Sequence, residues 1–182
     1  MSLHEIDTAC WKELETGARE PDSGFHFLTL ASVDLQGKPQ ARTLVLRAVD
    51  REKRTLEFHT DMRSPKWQAL AVNPEVTVLG YCVKTQLRLQ GTVERHAAHS
   101  AIAEAAWQRL SRRTQQTYAG AAPGSDIDNQ SNDVSNAEDN FGVLIIQITQ
   151  LDWCLLARDN NQRALLSYRS DGALTNSKWV NP

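Results

Sequence analysis

The chain has 182 residues, 41% hydrophobic and 23% charged, with a formal net charge of −2; that is the profile of one soluble domain able to bury its own core. The near-neutral balance excludes a nucleic-acid surface built on basic excess. No apolar run approaches the ~18 residues of a membrane span, and MSLHEIDTAC lacks the basic-then-apolar order of a secretory leader. Cys10, Cys82 and Cys154 are widely spaced with no CxxC pair, which argues against a disulfide or zinc framework and for a reducing, cytoplasmic setting.

In chain order, residues 3–19 predict a helix, with Ile6, Cys10, Trp11 and Leu14 on one apolar stripe, and Glu20 to Gly24 break it. FHFLTLASVD (25–34) and QARTLVLRAV (40–49) are rich in β-formers and flank the turn DLQGKP, so they predict a hairpin. REKR (51–54) turns into TLEFHT (55–60), which alternates with Leu56 and Phe58 on one face and Glu57 and His59 on the other. Ser64 as N-cap and Pro65 at the first helical position open a short helix that stops before Asn73-Pro74. EVTVLGYCV and QLRLQGTVER predict two more strands.

Residues 97–118 carry the longest helical pattern, with Ile102, Ala103, Ala106, Trp107 and Leu110 on one face. Residues 119–140 are polar and rich in Gly, Ser, Asn and Asp, and predict a long loop. FGVLIIQITQLDWCLLA (141–157) and RALLSYR are β-rich, and ALTNSKWVNP ends the chain after a turn at Ser170-Asp171-Gly172. Seven or eight closely spaced strands, two clear helices and one minor one predict a single, mainly β (α+β) domain: an antiparallel barrel or sandwich with flanking helices.

Familiar phosphate loops, GxxxxGK[ST] and GxGxxG, are absent, as is a GxSxG elbow. His96 and His99 lie at i, i+3 with no third metal ligand in sight. The stretch from Asp126 and Asp128 resembles a calcium loop but lacks the mid-loop glycine and has Ala137 at the twelfth place. Asn129-Gln130-Ser131 is a glycosylation sequon without meaning in a cytosolic chain.

One feature points to a ligand. Arg63, Ser64 and Lys66 surround a helix N-terminus, where first-turn N–H groups and the helix dipole favour an anion. Arg42 and Arg47 bound the apolar-leaning Thr43, Leu44, Val45 and Leu46, and Arg88 interrupts a strand that otherwise reads as buried. Arg42 and Arg47 are five residues apart, roughly 16 Å at ~3.3 Å per residue, so a regular strand sends them to opposite faces. One small anion cannot meet both; an elongated ligand can if a bulge re-aims one.

The order VDLQGKPQARTLVLR, FHT, RSPK, QLRLQGTVER, then Trp153 with Arg163 ten residues on, resembles the pyridoxamine 5′-phosphate oxidase-like, FMN-binding split-barrel family. The resemblance runs from about Trp11 to the terminal WVNP. It implies a Greek-key split barrel of antiparallel strands, with FMN as cofactor. Arg42 would hold the phosphate, the Thr43–Leu46 backbone would lie beneath the cofactor and Arg47 would approach the ring. His59-Thr60 stands where the family has an aromatic-Thr pair, and Gln86 where a glutamine bonds the flavin. Ser64-Pro65-Lys66 replaces Ser-Arg-Lys: the lysine ligand is kept, and Arg63 is the candidate to replace the lost arginine. Trp153 and Arg163 match a pair that reaches FMN across a subunit interface, so the resemblance implies a homodimer.

The family's true oxidase binds its substrate phosphate through Arg-x-His, and those places fall on Asp159 and Asn161. A carboxylate there would repel a phosphate. The chain therefore reads as a related branch, an oxidoreductase acting on another small molecule. The alternatives are a flavin carrier or sensor without turnover, and a split-barrel protein that takes a deazaflavin or haem.

Overall fold

Ser2 starts the first element: its hydroxyl accepts the Glu5 N–H while its own N–H donates to the Glu5 carboxylate, a capping box that opens α1 (Leu3–Arg19). The computed structural model describes residues 1–127 and 136–182, so the sequon and Asp128 lie outside the described residues. α1 buries the predicted stripe of Ile6, Cys10, Trp11 and Leu14 against the main core.

Eight strands follow: β1 (Phe27–Val33), β2 (Pro39–Asp50), β3 (Thr55–Asp61), β4 (Glu75–Cys82), β5 (Thr85–His96), β6 (Phe141–Leu155), β7 (Gln162–Tyr168) and β8 (Leu174–Val180). α2 (Pro65–Val72) joins β3 to β4. The strands run antiparallel in the order β3-β2-β1-β4-β5-β6-β7-β8, and β6 also pairs with β3, which closes the first six into a barrel. The mainly β, antiparallel reading is thus the observed fold, and closure removes the sheet edges that β3 and β6 would otherwise expose.

The 15-residue β6 is where the barrel splits. Its first half, Phe141–Gln147, pairs with β3, and its second half, Gln150–Leu155, pairs with β7. Between them the register against β5 slips: Gln90 faces Gln150 but Gly91 faces Ile148, leaving Thr149 as an extra residue. Gly91 makes the slip possible, because a Cβ there would sit 2.2 Å from the Gln147 carbonyl oxygen.

The expected single helix over residues 97–118 is corrected to two, α3 (Ala101–Gln108) and α4 (Arg112–Gln116). Ser111 explains the break: its hydroxyl accepts the Thr114 N–H and caps a new helix rather than continuing the old one. Within the predicted face Ala103 and Ala106 are buried, whereas Ile102 is 39% exposed. α3 covers a second, smaller core of Ala103, Ala106, Tyr118, Phe141 and Val143 on the outside of the barrel. Of the predicted 119–140 loop, Ala137–Asn140 forms a 3-10 turn.

Candidate functional site

Arg42 stands opposite Leu30 in the β1–β2 ladder, so its stem follows the inward-facing row of Leu44 and Leu46. Its guanidinium donates to the Leu30 carbonyl at 3.3 Å and to Ser32 Oγ at 2.7 Å. The start of α2 faces it. Ser64 holds the N-cap backbone geometry, but its hydroxyl makes no cap bond; it donates to the Asp61 carbonyl at 2.6 Å and accepts from Lys66 Nζ at 3.1 Å. Arg42, Ser64, Pro65 and Lys66 line one cleft of about 490 Å³, with Pro123 and Gly124 on its far wall.

Electrostatics mark this cleft. Burial and then the charge of Arg42 hold the Lys66 ammonium below its ordinary pKa, with Asp61 opposing, and burial lowers Arg42 as well. Among the described residues neither cation has an acidic partner within ion-pair distance. Asp34 lies at the rim, already taken by the N–H groups of Gln36 and Lys38 and by Gln40 Nε2.

Arg63, the candidate stand-in for the lost arginine, is committed elsewhere. Its side chain donates to Asp61 at 2.7 and 3.1 Å, and to the carbonyls of Gly120 and Tyr118 at 2.6 and 3.3 Å. It is not among the residues lining the cleft.

Arg47 sits at a break in the β2–β3 register, since Leu46 faces Phe58 and Ala48 faces Glu57. It is the extra residue of a bulge and points to the outer face, next to His59 and Tyr118, whose ionisation its charge affects. The opposite-face parity seen in the sequence is therefore real: the bulge adds a residue at Arg47 without turning it to the side of Arg42. Arg47 Nε and His59 Nδ1 are both buried without a hydrogen-bond partner among the described residues. His59 Nε2 lies 2.9 Å from Glu57 Oε1, and the ring packs edge-on against Phe141, 4.9 Å between centroids. Burial holds His59 below its ordinary pKa despite Glu57, and Arg47 and Arg109 add to the effect. Thr60, next in the strand, is buried.

Gln86 faces Cys154, which faces Arg163, so Gln86 and Arg163 share one row on the outside of the sheet. Beside that row Asp152 joins Arg88 to Arg163, accepting from Arg163 at 2.8 and 2.9 Å. Burial raises the Asp152 pKa, but the bonds and charges of the two arginines outweigh it and hold the carboxyl below the ordinary range. Trp153 is not brought to Arg163. It belongs to the inward row with Leu87 and Ala164, is buried in the main core and meets Trp179 edge-on at 6.2 Å.

The protein thus brings Arg42, Ser64 and Lys66 together, sets Arg47 and His59 on the outer face, and places Gln86 and Arg163 further round the barrel. Sequence reasoning missed Asp61, Tyr118 and Asp152. Only Asp152 carried a signal, as a carboxylate inside the apolar run QLDWCLL. Among the described residues no cluster of His, Cys, Asp or Glu could hold a metal, and no helix is long and apolar enough to cross a membrane.

Comparison with known proteins adds the lineage. Residues 8–97 match the family described as pyridoxamine 5′-phosphate oxidase, FMN-binding domain. The chain is 27% identical to pyridoxine/pyridoxamine 5′-phosphate oxidase 2 of Arabidopsis thaliana, over 96% of this chain and 98% of that protein. It is 40% identical to the corresponding oxidase of Paraburkholderia phymatum over 68 residues, 36% of this chain and 31% of that one. It spans half or less of the bacterial oxidases it matches. Among solved structures, a pyridoxamine 5′-phosphate oxidase-related, FMN binding protein from Nostoc punctiforme superposes with a TM-score of 0.77 at 24% identity, covering 96% of each chain. PhzG from Burkholderia lata, crystallised with tetrahydrophenazine-1-carboxylic acid, gives 0.73 at 14% identity, covering 96% of this chain and 91% of that one. At these identities the two structures speak for the fold alone. Fold, matched segment and full-length relative point the same way: residues 8–97 match the pyridoxamine 5′-phosphate oxidase FMN-binding domain, and the whole chain is similar to proteins of that split-barrel family.

Proposed function

We propose that the protein binds FMN, with the phosphate in the Arg42–Lys66 cleft, and works as an oxidoreductase on a small molecule other than a pyridoxal-type phosphate. One observation carries the reading: two half-buried cations face a single cleft, and among the described residues neither is ion-paired to an acid. A dianionic phosphate supplies the missing countercharge and suits a guanidinium fork beside an ammonium. FMN, when bound, would supply the redox chemistry; the chain's residues would bind and orient it.

Gln86 and Arg163 lie apart from the cleft, on a sheet face that also exposes Leu79 and Tyr81. This arrangement favours a homodimer with FMN at the subunit interface, where Gln86 and Arg163 would serve the partner's cofactor. Asp159 and Asn161 are exposed on the β6–β7 connection, and the Asp159 carboxylate disfavours a phosphorylated substrate.

The test is a titration of flavin-free protein with FMN and with riboflavin, read by flavin fluorescence. Binding that strongly favours FMN is expected; equal affinity for the two, or none for either, overturns the phosphate assignment. FMN-loaded protein is further expected to leave pyridoxine 5′-phosphate unoxidised, and turnover of it would place the chain among the true oxidases.

A further inference from the structure

The cleft that holds Arg42 and Lys66 has a wall that comes from far along the chain. Pro123 and Gly124 lie beyond α4, yet they line the same space as Ser64 and Lys66. Two anchors bring them there. Tyr118 is buried and packs edge-on against Phe141 at 5.1 Å and Trp107 at 5.9 Å. Its carbonyl accepts from Asn140 Nδ2 at 2.9 Å and from Arg63 at 3.3 Å. Two residues on, the Gly120 carbonyl takes the other arm of Arg63 at 2.6 Å, at a φ of 87° that favours glycine.

Arg63 is itself fixed from behind. The Asp61 carboxylate accepts its backbone N–H at 2.8 Å and its side chain at 2.7 and 3.1 Å. The guanidinium is therefore neutralised on one edge and bonded to the 118–120 backbone on the other. An arginine so committed is poorly placed to neutralise a ligand, but well placed to hold a segment of backbone.

We propose that Arg63 is a positioning residue of the anion cleft: clamped by Asp61, it holds residues 118–124 as a wall across the space in front of Arg42 and Lys66, without touching the anion. This rests on the flavin reading above. A wall of this kind slows escape of a bound phosphate and contributes little to its capture, so its loss acts on the dissociation rate. A direct phosphate ligand would add its own charge to the capture step, so its loss would slow FMN association as well.

The experiment uses the full chain stripped of flavin, as wild type and Arg63→Ala, with stopped-flow mixing against FMN and riboflavin. Removing charge-assisted bonds on this scale is expected to speed FMN dissociation about tenfold. The FMN association rate and both riboflavin rates are expected to stay within about twofold. FMN dissociation unchanged in Arg63→Ala, or equal losses for FMN and riboflavin, would overturn the assignment to Arg63 while leaving the flavin site standing. A wild type that binds no FMN removes the flavin reading and this inference with it. Should Arg63→Ala fail to fold, amide hydrogen exchange on the wild type decides: peptides covering 118–124 are expected to exchange more slowly once inorganic phosphate or FMN is bound, and unchanged exchange overturns the proposal.

Discussion

At the scale of single residues, Arg42 and Lys66 line one cleft with no ion-paired acid among the described residues, an arrangement that costs free energy until an anion arrives. Each would make a charge-assisted contact to phosphate, so Arg42→Ala and Lys66→Ala are each expected to weaken FMN binding by on the order of 2–4 kcal/mol. Riboflavin affinity should stay unchanged, and fluorescence titration reads both; two variants that bind FMN like wild type remove the site. His59 gives a prediction in pH. Burial lowers its pKa from the ordinary 6.5, so below that pH the unfolded chain binds more protons than the folded one. The stability tied to neutral His59 is complete above pH 6.5 and is lost as the pH falls through the folded-state value. Glu57, also held low, acts in the same direction at lower pH. Thermal unfolding between neutral and mildly acidic pH is expected to fall more steeply in wild type than in His59→Asn; parallel curves would mean that His59 is not the titrating group.

Among the elements, α1 shows how far local pattern reaches. Its apolar stripe was legible because Ile6, Cys10, Trp11 and Leu14 recur at helical spacing. Asp7, buried beside Ile6, was not, because its partners lie 47 and 161 residues away. Arg54 Nη2 bonds Asp7 at 2.8 Å, and Tyr168 donates to Asp7 at 2.6 Å while accepting from Trp11 Nε1 at 3.1 Å. The Arg54 guanidinium lies 5.0 Å from the Trp11 ring and 4.9 Å from that of Tyr168, and its Nε donates to the Gly172 carbonyl. One network thus ties α1 to the β2–β3 turn and to the turn end of the β7–β8 hairpin. Asp7→Ala leaves Arg54 buried without its countercharge and is expected to cost about 3–5 kcal/mol. Tyr168→Phe removes only the hydroxyl and should cost about 1–3 kcal/mol. Urea unfolding ranks the two, and the opposite order would show that the hydrogen bonds of the Tyr168 hydroxyl, not the Arg54–Asp7 charge pair, carry the network. The same reach explains the helix over 97–118: its periodicity was legible, but the competition between continuing a helix and recapping at Ser111 is settled by what α3 covers.

For the whole molecule, hairpin order and alternation made an antiparallel barrel legible, whereas the closure of β3 onto β6 depends on a register between residues at least 80 positions apart that no local window contains. The candidate site divides likewise. The Arg42–Lys66 cleft was legible from a strand and a helix start close in sequence; the commitment of Arg63 to the 118–120 backbone and the inward turn of Trp153 were not, because each is set by a distant partner or by sheet register. Phe27 and Tyr81 are each 59% exposed and Leu79 is 38% exposed. Phe27 shares its side of β1 with Thr29, which faces Leu79; Leu79 and Tyr81 in turn face Arg88 and Gln86. Apolar side chains therefore continue directly into the row that carries Gln86 and Arg163, a pattern more typical of an interface than of a solvated surface. Sedimentation of the wild type at micromolar concentration is expected to give a particle of twice the chain's 20.4 kDa. Phe27→Glu with Tyr81→Glu places charge at the centre of that face and is expected to give a monomer. The monomer keeps Arg42 and Lys66 but lacks a partner's Gln86 and Arg163. It should therefore still bind inorganic phosphate while losing most of its affinity for FMN. A double variant that remains dimeric would move the interface elsewhere on the barrel, and a monomer that binds FMN like wild type would mean that one chain completes the site alone.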